Sequence, residues 1–199
     1  MKFLLLALLI VLSTPVMSQT NWQLVKQRNN ISVYTRLETG SLYKSFKAVS
    51  FVSSSPREIF EVLGDVNGYK KWFAFAKAVR LLEHSENTKY VYMETGFPWP
   101  FSNEDMVYKI SSTSNKDGTI KLILDGEPDF IPSHDGVVRM LDAKGYISLY
   151  PEKDQTKITY FMHAELGGNI PPMLANSFIH ELPLSTLENL IKMVRKKVN

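Results

Sequence analysis

The sequence contains no cysteine among its 199 residues. Disulfide bonds, thiol catalysis and cysteine metal ligation are therefore excluded, and the folded chain must owe its stability to its hydrophobic core. An excess of charge of one sign is also missing, because 23 basic and 20 acidic residues leave a formal net charge of +3. That balance is too small to favour nucleic acid as a partner. We expect one ordered globular domain that acts as a monomer.

The sequence motifs of catalytic and cofactor sites are missing as well. The four histidines lack the i, i+4 spacing of a zinc site: His84, His134, His163 and His180. Ser133-His134-Asp135 contains the residue types of a catalytic triad, but neighbours in sequence cannot adopt triad geometry, so we interpret it as a turn. The chain has no Gly-x-Ser-x-Gly elbow, phosphate loop or dinucleotide fingerprint. We therefore expect no metal, no cofactor and no covalent catalysis.

The first 18 residues are typical of a cleaved export signal. Met1 and Lys2 precede an apolar run over residues 3–12, and Ser13-Thr14-Pro15 ends that run. The run is only about half of the roughly 20 apolar residues that a membrane-spanning helix needs. We predict that residues 1–18 are a signal peptide and that the protein is exported to the periplasm or the extracellular space. An uncleaved membrane anchor is the alternative.

After the signal, short alternating segments bounded by turn residues predict a long antiparallel meander. Asn29-Asn30 separates the first two segments and favours a tight hairpin, because asparagine tolerates the left-handed conformation. Ser55 and Pro56 predict the start of a helix that Gly64 ends. The predicted strands cover residues 22–26, 31–36, 46–52, 79–82, 90–93, 106–110, 119–124, 137–141, 146–150 and 157–164.

From Pro171 onward, apolar residues recur every three or four positions, which predicts a long C-terminal helix. We expect Pro183 to kink this helix, because proline lacks the backbone N–H and crowds the preceding turn. One helix cannot fill the hollow of a strongly bent sheet of about eight or nine strands. We therefore predict an α+β fold with a cavity between the sheet and the helix.

Three segments resemble START domains, the lipid-binding relatives of the steroidogenic acute regulatory protein. Residues 65–72 look like the family's Asp-x-x-x-Tyr-x-x-Trp segment, and residues 99–107 resemble its Trp-Pro-x-x-x-Arg-Asp-x-Val loop and strand. Residues 167–171 are similar to the Gly-Gly-x-Ile-Pro segment before the family's last helix. The resemblance implies a START lipid-binding domain over residues 21–198. Its helix-grip fold would wrap a curved antiparallel sheet around a long C-terminal helix and enclose a hydrophobic cavity for one lipid.

The resemblance also implies a gate. The gate loop, residues 96–101 with the sequence GFPWPF, and the gate turn, residues 167–171, would lie on either side of the lipid's path. Proline keeps the loop stiff, and aromatic rings suit the boundary between water and bilayer. As the alternative, Trp99 folds back over the core in the closed state. The predicted membrane-contact residues are Phe97, Trp99, Phe101 and Ile170.

Strand alternation selects candidates for the cavity wall, since every second side chain of a strand shares a face. Ordinary core packing is the alternative for each of them. The candidates are Phe46, Ala48, Met106, Tyr108, Ile110, Leu122, Leu124, Tyr160 and Met162, with Leu174 and Phe178 from the last helix. Arg139 lies where the family carries a Val-Ile-Arg segment, which implies contact with a ligand head group. A structural ion pair with Asp105, Asp135 or Asp142 is the alternative that we favour.

One departure from the family concerns Glu104, which stands at the usual arginine of the Arg-Asp pair. The pairing made by that arginine cannot be assumed here. We predict a non-enzymatic protein that binds a phospholipid, fatty acid or sterol-like lipid and exchanges it during transient contact with membranes. An aromatase/cyclase-like enzyme of the same superfamily is the alternative, and it would need several polar groups inside the cavity. A scaffold without a ligand would instead have a filled cavity.

Overall fold

A computed structural model describes residues 21–198. The predicted signal peptide, residues 1–18, lies outside the described residues. The described chain forms one ten-stranded sheet with four α-helices. Its elements are β1 Gln23–Arg28, β2 Ile31–Leu37, β3 Lys44–Val52, α1 Pro56–Gly64, a 3-10 turn Val66–Gly68, α2 Tyr69–Trp72, β4 Ala76–His84, β5 Thr88–Thr95, β6 Glu104–Ser114, β7 Ile120–Gly126, β8 Val138–Arg139, β9 Asp142–Glu152, β10 Gln155–Glu165, α3 Pro172–Phe178 and α4 Glu181–Val198.

The strands follow the order β1-β2-β3-β10-β9-β7-β6-β5-β4. All of these neighbours are antiparallel, as predicted, but the sheet is not one continuous meander because β3 pairs with β10. The predicted strand over residues 137–141 shortens to the two residues of β8. These two pair in parallel with the start of β6, where Glu104 lies opposite Val138 and Asp105 opposite Arg139. Both acidic residues therefore lie between β8 and the end of β5.

Two local predictions are confirmed where the sequence carries a strong local signal. Asn29 and Asn30 have φ angles of 51° and 61° in the β1–β2 hairpin, the left-handed region that asparagine tolerates. Ser55 caps α1 by accepting a hydrogen bond from the backbone N–H of Glu58, and the Glu58 side chain accepts one from the backbone N–H of Ser55. The helix ends at Gly64.

The predicted C-terminal helix is divided into two helices rather than kinked. α3 ends at Phe178, and α4 begins at Glu181. The ring of Pro183 would collide with the carbonyl of Ile179 in a continuous helix, since a helical proline clashes with residue i−4. The chain therefore breaks just before this point. Pro183 then lies in the first turn of α4, where a missing N–H leaves no helical hydrogen bond unmade.

The core lies on the concave face of the sheet. α4 buries one face against it, with Leu184, Leu187 and Leu190 inaccessible to solvent. α1 and α2 pack beside α4 and cover the same end of the sheet, where Ile59 and Trp72 are buried. α3 covers the opposite end, and none of the α3 residues that the structure describes is buried. Of the helices within residues 21–198, none is both long and apolar enough to cross a membrane.

Candidate functional site

An apolar cavity of about 580 Å³ lies between the concave face of the sheet, α3, the start of α4 and the gate loop. Its volume falls within the range of roughly 300–1,000 Å³ typical of small-molecule sites. The cavity exists because α1, α2 and α4 fill one end of the concave face, whereas the short α3 bridges the other end without filling it. Six of the predicted wall residues line the cavity: Phe46, Tyr108, Tyr160, Met162, Leu174 and Phe178.

The other predicted wall residues lie elsewhere in the core. Ala48 and Met106 are completely buried but outside the cavity lining. Ile110, Leu122 and Leu124 border a separate void of only about 20 Å³. For these five residues the structure shows the alternative of ordinary core packing.

The gate loop divides its aromatic residues between inside and outside. Phe97 and Phe101 line the cavity, whereas Trp99 is 92% exposed at the tip of the loop. The side chain of Asn103 holds the base of the loop, since it accepts a hydrogen bond from the backbone of Phe97 at 3.4 Å and donates one to Glu94 at 2.6 Å. The arrangement in which Trp99 folds back over the core is not the one in this structure.

The gate turn is fastened to the sheet by Glu104. The Glu104 side chain is completely buried, and its two carboxylate oxygens accept the backbone N–H groups of Gly167 at 3.0 Å and Gly168 at 3.1 Å. Burial raises the pKa of Glu104, while these two N–H groups act to lower it. The residue that replaces the family arginine is therefore an acceptor for the Gly-Gly turn. The sequence shows that Glu104 replaces the family arginine, but it does not indicate that Gly167 and Gly168 are the partners of Glu104.

Ile170 lies on the inner side of the gate turn. Its side chain is buried and lines the cavity, so in this structure it does not point outward to a membrane. The backbone carbonyl of Ile170 accepts a hydrogen bond from the hydroxyl of Tyr43 at 3.2 Å. The turn is thus held at both ends, by Glu104 and by Tyr43.

Helix α3 is attached to the start of β3 by one side chain that sequence reasoning missed. Asn176 accepts a hydrogen bond from the backbone N–H of Lys44 at 2.8 Å and donates one to the carbonyl of Leu42 at 3.0 Å. On α3, Met173 is 86% exposed, and Phe178, which lines the cavity, is also exposed. Because α3 and the gate loop both border the cavity, these side chains and Trp99 form an exposed apolar rim around it. We call Trp99, Met173 and Phe178 the rim.

Arg139 lies outside the cavity lining. Its guanidinium binds the Asp105 carboxylate through two contacts, of 2.6 and 3.3 Å, and also donates to the backbone carbonyls of Pro128 and Ile131. Asp105 additionally contacts Tyr92, whose pKa is raised to about 12 by burial and by the nearby carboxylate. The structural ion pair with Asp105, the alternative that we favoured, is therefore the arrangement found.

The polar groups inside the cavity are few. Tyr108 and Tyr160 line it, and burial raises the pKa of both phenols, so both are hydrogen-bond donors at neutral pH. The charged lining residues, Lys44, Lys77 and Glu181, are partly or fully exposed. Within residues 21–198 no group of His, Cys, Asp or Glu side chains is arranged to hold a metal ion. The arrangement suits a hydrophobic ligand better than acid–base catalysis.

A curved antiparallel sheet closed around a C-terminal helix, with an apolar cavity between them, defines a protein of the helix-grip class. The START domain family model matches residues 7–198, and the chain belongs to this family. A StAR-related lipid transfer protein from Xanthomonas axonopodis is similar in structure, with a TM-score of 0.82 and 35% identity over 87% of this chain and 98% of that one.

Two further relatives are similar in sequence. An uncharacterized protein of Pseudomonas aeruginosa is 31% identical over 89% of this chain and 88% of its own length. The phosphatidylcholine transfer protein of Bos taurus is 27% identical over 83% of this chain and 80% of its own length. The similarity therefore extends over nearly the whole described fold rather than over isolated motifs.

Proposed function

We propose that this protein binds one lipid in its cavity, shields it from water and exchanges it at membranes without covalent chemistry. The observation that carries the proposal is the apolar cavity of about 580 Å³ whose mouth is surrounded by the exposed rim. The names of the bovine and Xanthomonas relatives, both lipid transfer proteins, support it. We further propose that the protein acts as a monomer in the periplasm or outside the cell.

The affinity for such a ligand would come mainly from its hydrocarbon. Each buried CH₂ group contributes roughly 0.8 kcal/mol, so an acyl chain or a fused ring system needs few polar contacts. The wall supplies aromatic and thioether groups, among them Phe46, Phe73 and Met162. A thioether adapts readily to irregular apolar shapes, which suits a site that receives flexible chains.

The rim would make the contact with the membrane. Tryptophan prefers the boundary between water and bilayer because its ring is amphipathic, and Met173 and Phe178 would add apolar area from α3. Opening requires only that the gate loop and α3 move apart. Within residues 21–198, the side-chain hydrogen bonds that hold α3 and the gate turn in place are those of Asn176, Tyr43 and Glu104.

The enzyme alternative lacks a supporting observation. An aromatase/cyclase-like enzyme needs acid and base groups whose pKa values lie near the working pH. Among the residues that line the cavity, the buried ionisable groups are the phenols of Tyr108 and Tyr160, and burial moves their pKa values upward, away from neutrality. Neither phenol is suited to act as a general base.

The test combines lipid analysis with a matched pair of variants. Protein purified from its host should release a stoichiometric lipid on extraction, identified by mass spectrometry. Trp99→Ala should slow lipid transfer between vesicles by roughly tenfold, since the buried area of one large side chain is lost from the membrane contact. Phe51→Ala is the control, because Phe51 is also an exposed aromatic residue. The next residue of the strand, Val52, points into the core, so the side chain of Phe51 points away from the core.

Two results would contradict the proposal. A protein that releases no lipid and takes up none from vesicles would remove the carrier function. Equal transfer rates for the Trp99→Ala variant and the wild type would refute the proposal that the rim contacts the membrane. Export is tested separately, by fractionating host cells and sequencing the amino terminus of the mature chain. A chain that begins at Met1 in the cytoplasm would refute that part.

A further inference from the structure

The cavity wall contains a buried hydroxyl group without a hydrogen-bond partner. Tyr160 is only 1% exposed, and its ring packs edge-on against Phe46 at a centroid distance of 4.9 Å. Within residues 21–198, no atom accepts or donates a hydrogen bond at its phenolic oxygen. Buried hydroxyl groups in proteins nearly always have a partner. Because Tyr160 also lines the cavity, the missing partner is a group that a ligand can supply.

Tyr160 differs in this respect from the other buried polar groups that lack partners. Among the described residues these are Ser50, Trp72 and Thr119, and none of the three lines this cavity. Tyr108, by contrast, also lines the cavity and interacts electrostatically with Tyr160. The inner wall therefore presents two neighbouring phenols, and the Tyr160 hydroxyl has no hydrogen bond within the described part of the protein.

The charges around the cavity restrict what such a ligand group can be. The charged lining residues, Lys44, Lys77 and Glu181, lie at positions that solvent reaches, and Arg139 is already paired with Asp105 outside the lining. A phosphate or carboxylate at the inner wall would be a buried charge without a partner, which is strongly unfavourable. A quaternary ammonium group accepts no hydrogen bond, so it would leave the phenol unsatisfied.

On the basis of the lipid-binding function proposed above, we propose that the Tyr160 hydroxyl donates a hydrogen bond to an uncharged hydroxyl or carbonyl oxygen of the ligand. The ligand binds with this oxygen at the inner wall and its hydrocarbon directed toward the rim. Tyr160 is then the residue that selects the ligand class, which is a neutral lipid bearing an alcohol, ketone or ester oxygen.

The test uses delipidated full-length protein and three probes that share one hydrocarbon chain: dodecanol, dodecane and dodecyltrimethylammonium. Binding is measured by displacement of N-phenyl-naphthylamine from the cavity. The ratio of the dodecanol affinity to the dodecane affinity should be about fivefold higher for the wild type than for Tyr160→Phe, the effect of one net hydrogen bond. Tyr160→Phe should leave the affinity for dodecane within about twofold of the wild-type value.

Tyr69→Phe is the matched control. Tyr69 is also a buried tyrosine, but its hydroxyl donates to the carbonyl of Leu63 at 2.7 Å and lies away from the cavity. This variant should keep the wild-type ratio of dodecanol affinity to dodecane affinity. Tyr160→Phe loses no hydrogen bond of the ligand-free protein, so its midpoint of urea unfolding should not fall below that of the wild type.

The possible results separate this inference from the function on which it rests. If Tyr160→Phe keeps the wild-type ratio of dodecanol affinity to dodecane affinity, the role of Tyr160 is refuted while lipid binding stands. A wild-type preference for dodecyltrimethylammonium over dodecanol would also refute it. If none of the probes displaces the dye, both the inference and the proposed lipid-binding function are overturned.

Discussion

Replacing Arg139 by methionine tests whether this residue acts on the fold or on the ligand. Methionine keeps most of the side-chain volume and removes the charge. The change deletes two contacts to Asp105, at 2.6 and 3.3 Å, and two bonds to backbone carbonyls of the loop between β7 and β8. The side chain of Arg139 is 10% exposed and that of Asp105 is 1% exposed, so water cannot replace the lost partner.

The expected loss of stability follows from this burial. Removing one partner of a buried ion pair costs about 3–5 kcal/mol, because the remaining charge is left uncompensated. Such a loss is a large part of the ~5–15 kcal/mol by which domains are usually stable. Asp105 would keep its contact with Tyr92, and this contact offsets only a fraction of the lost stability. Adding Asp105→Asn to the variant should restore part of the stability, since it removes the orphaned charge.

The assay is urea unfolding at neutral pH, followed by tryptophan fluorescence, together with lipid binding by the same proteins. Lys144→Met is the control: Lys144 is 68% exposed and pairs with Asp142 at 3.2 Å, so the change should be within about 0.5 kcal/mol. The reasoning is refuted if Arg139→Met loses less than about 1 kcal/mol and instead changes the preference among anionic and neutral lipids. Arg139 would then serve the ligand.

Three further changes test the gate turn and α1. Burial raises the pKa of Glu104 because it favours the protonated carboxyl group. As pH rises from about 4.5 through this raised pKa, the wild type should therefore lose stability relative to the Glu104→Gln variant. The measurement is urea unfolding, and a stability difference that does not depend on pH would contradict this. Gly167→Ala should cost about 1–3 kcal/mol of unfolding free energy, since its Cβ would overlap the Arg139 carbonyl oxygen; an unchanged unfolding midpoint would contradict this. Ser55→Ala removes the cap of α1 and should lower thermal stability by about 1 kcal/mol, whereas Ser55→Thr should retain it.

The parts of the fold that could be predicted from the sequence are those that depend on neighbouring residues. The hairpin at Asn29-Asn30 and the start of α1 at Ser55-Pro56 each follow from local backbone preferences, and the structure confirms both. The break before α4 was foreseen only as a kink at Pro183. A clash with the residue four positions earlier moves the break to Ile179–His180, since the chain turns there instead of bending.

The candidate site was predicted less completely because strand alternation sorts faces and not positions along a face. Ile110 and Tyr108 point to the same side of β6, yet Ile110 packs beneath the helices and Tyr108 reaches the cavity. The packing positions of α1, α2 and α3 determine which end of the concave face is left unfilled. The bonds of Glu104 and Asn176 join residues more than 60 positions apart, and no local sequence pattern encodes such partners.

The two ends of the concave face differ in how firmly they are covered, and this difference bears on ligand exchange. α4 buries Leu184, Leu187 and Leu190 completely, whereas no residue of α3 within the described chain is buried. Leu174 and Phe178 of α3 instead face the cavity. With lipid inside, these two side chains gain apolar contacts that the empty cavity does not offer. A ligand with more favourable contacts in the closed form shifts the equilibrium toward closure, so loading and closing favour each other. Under the proposed function, a bilayer surface that binds the rim would act in the opposite direction, and release at the membrane would follow from that competition.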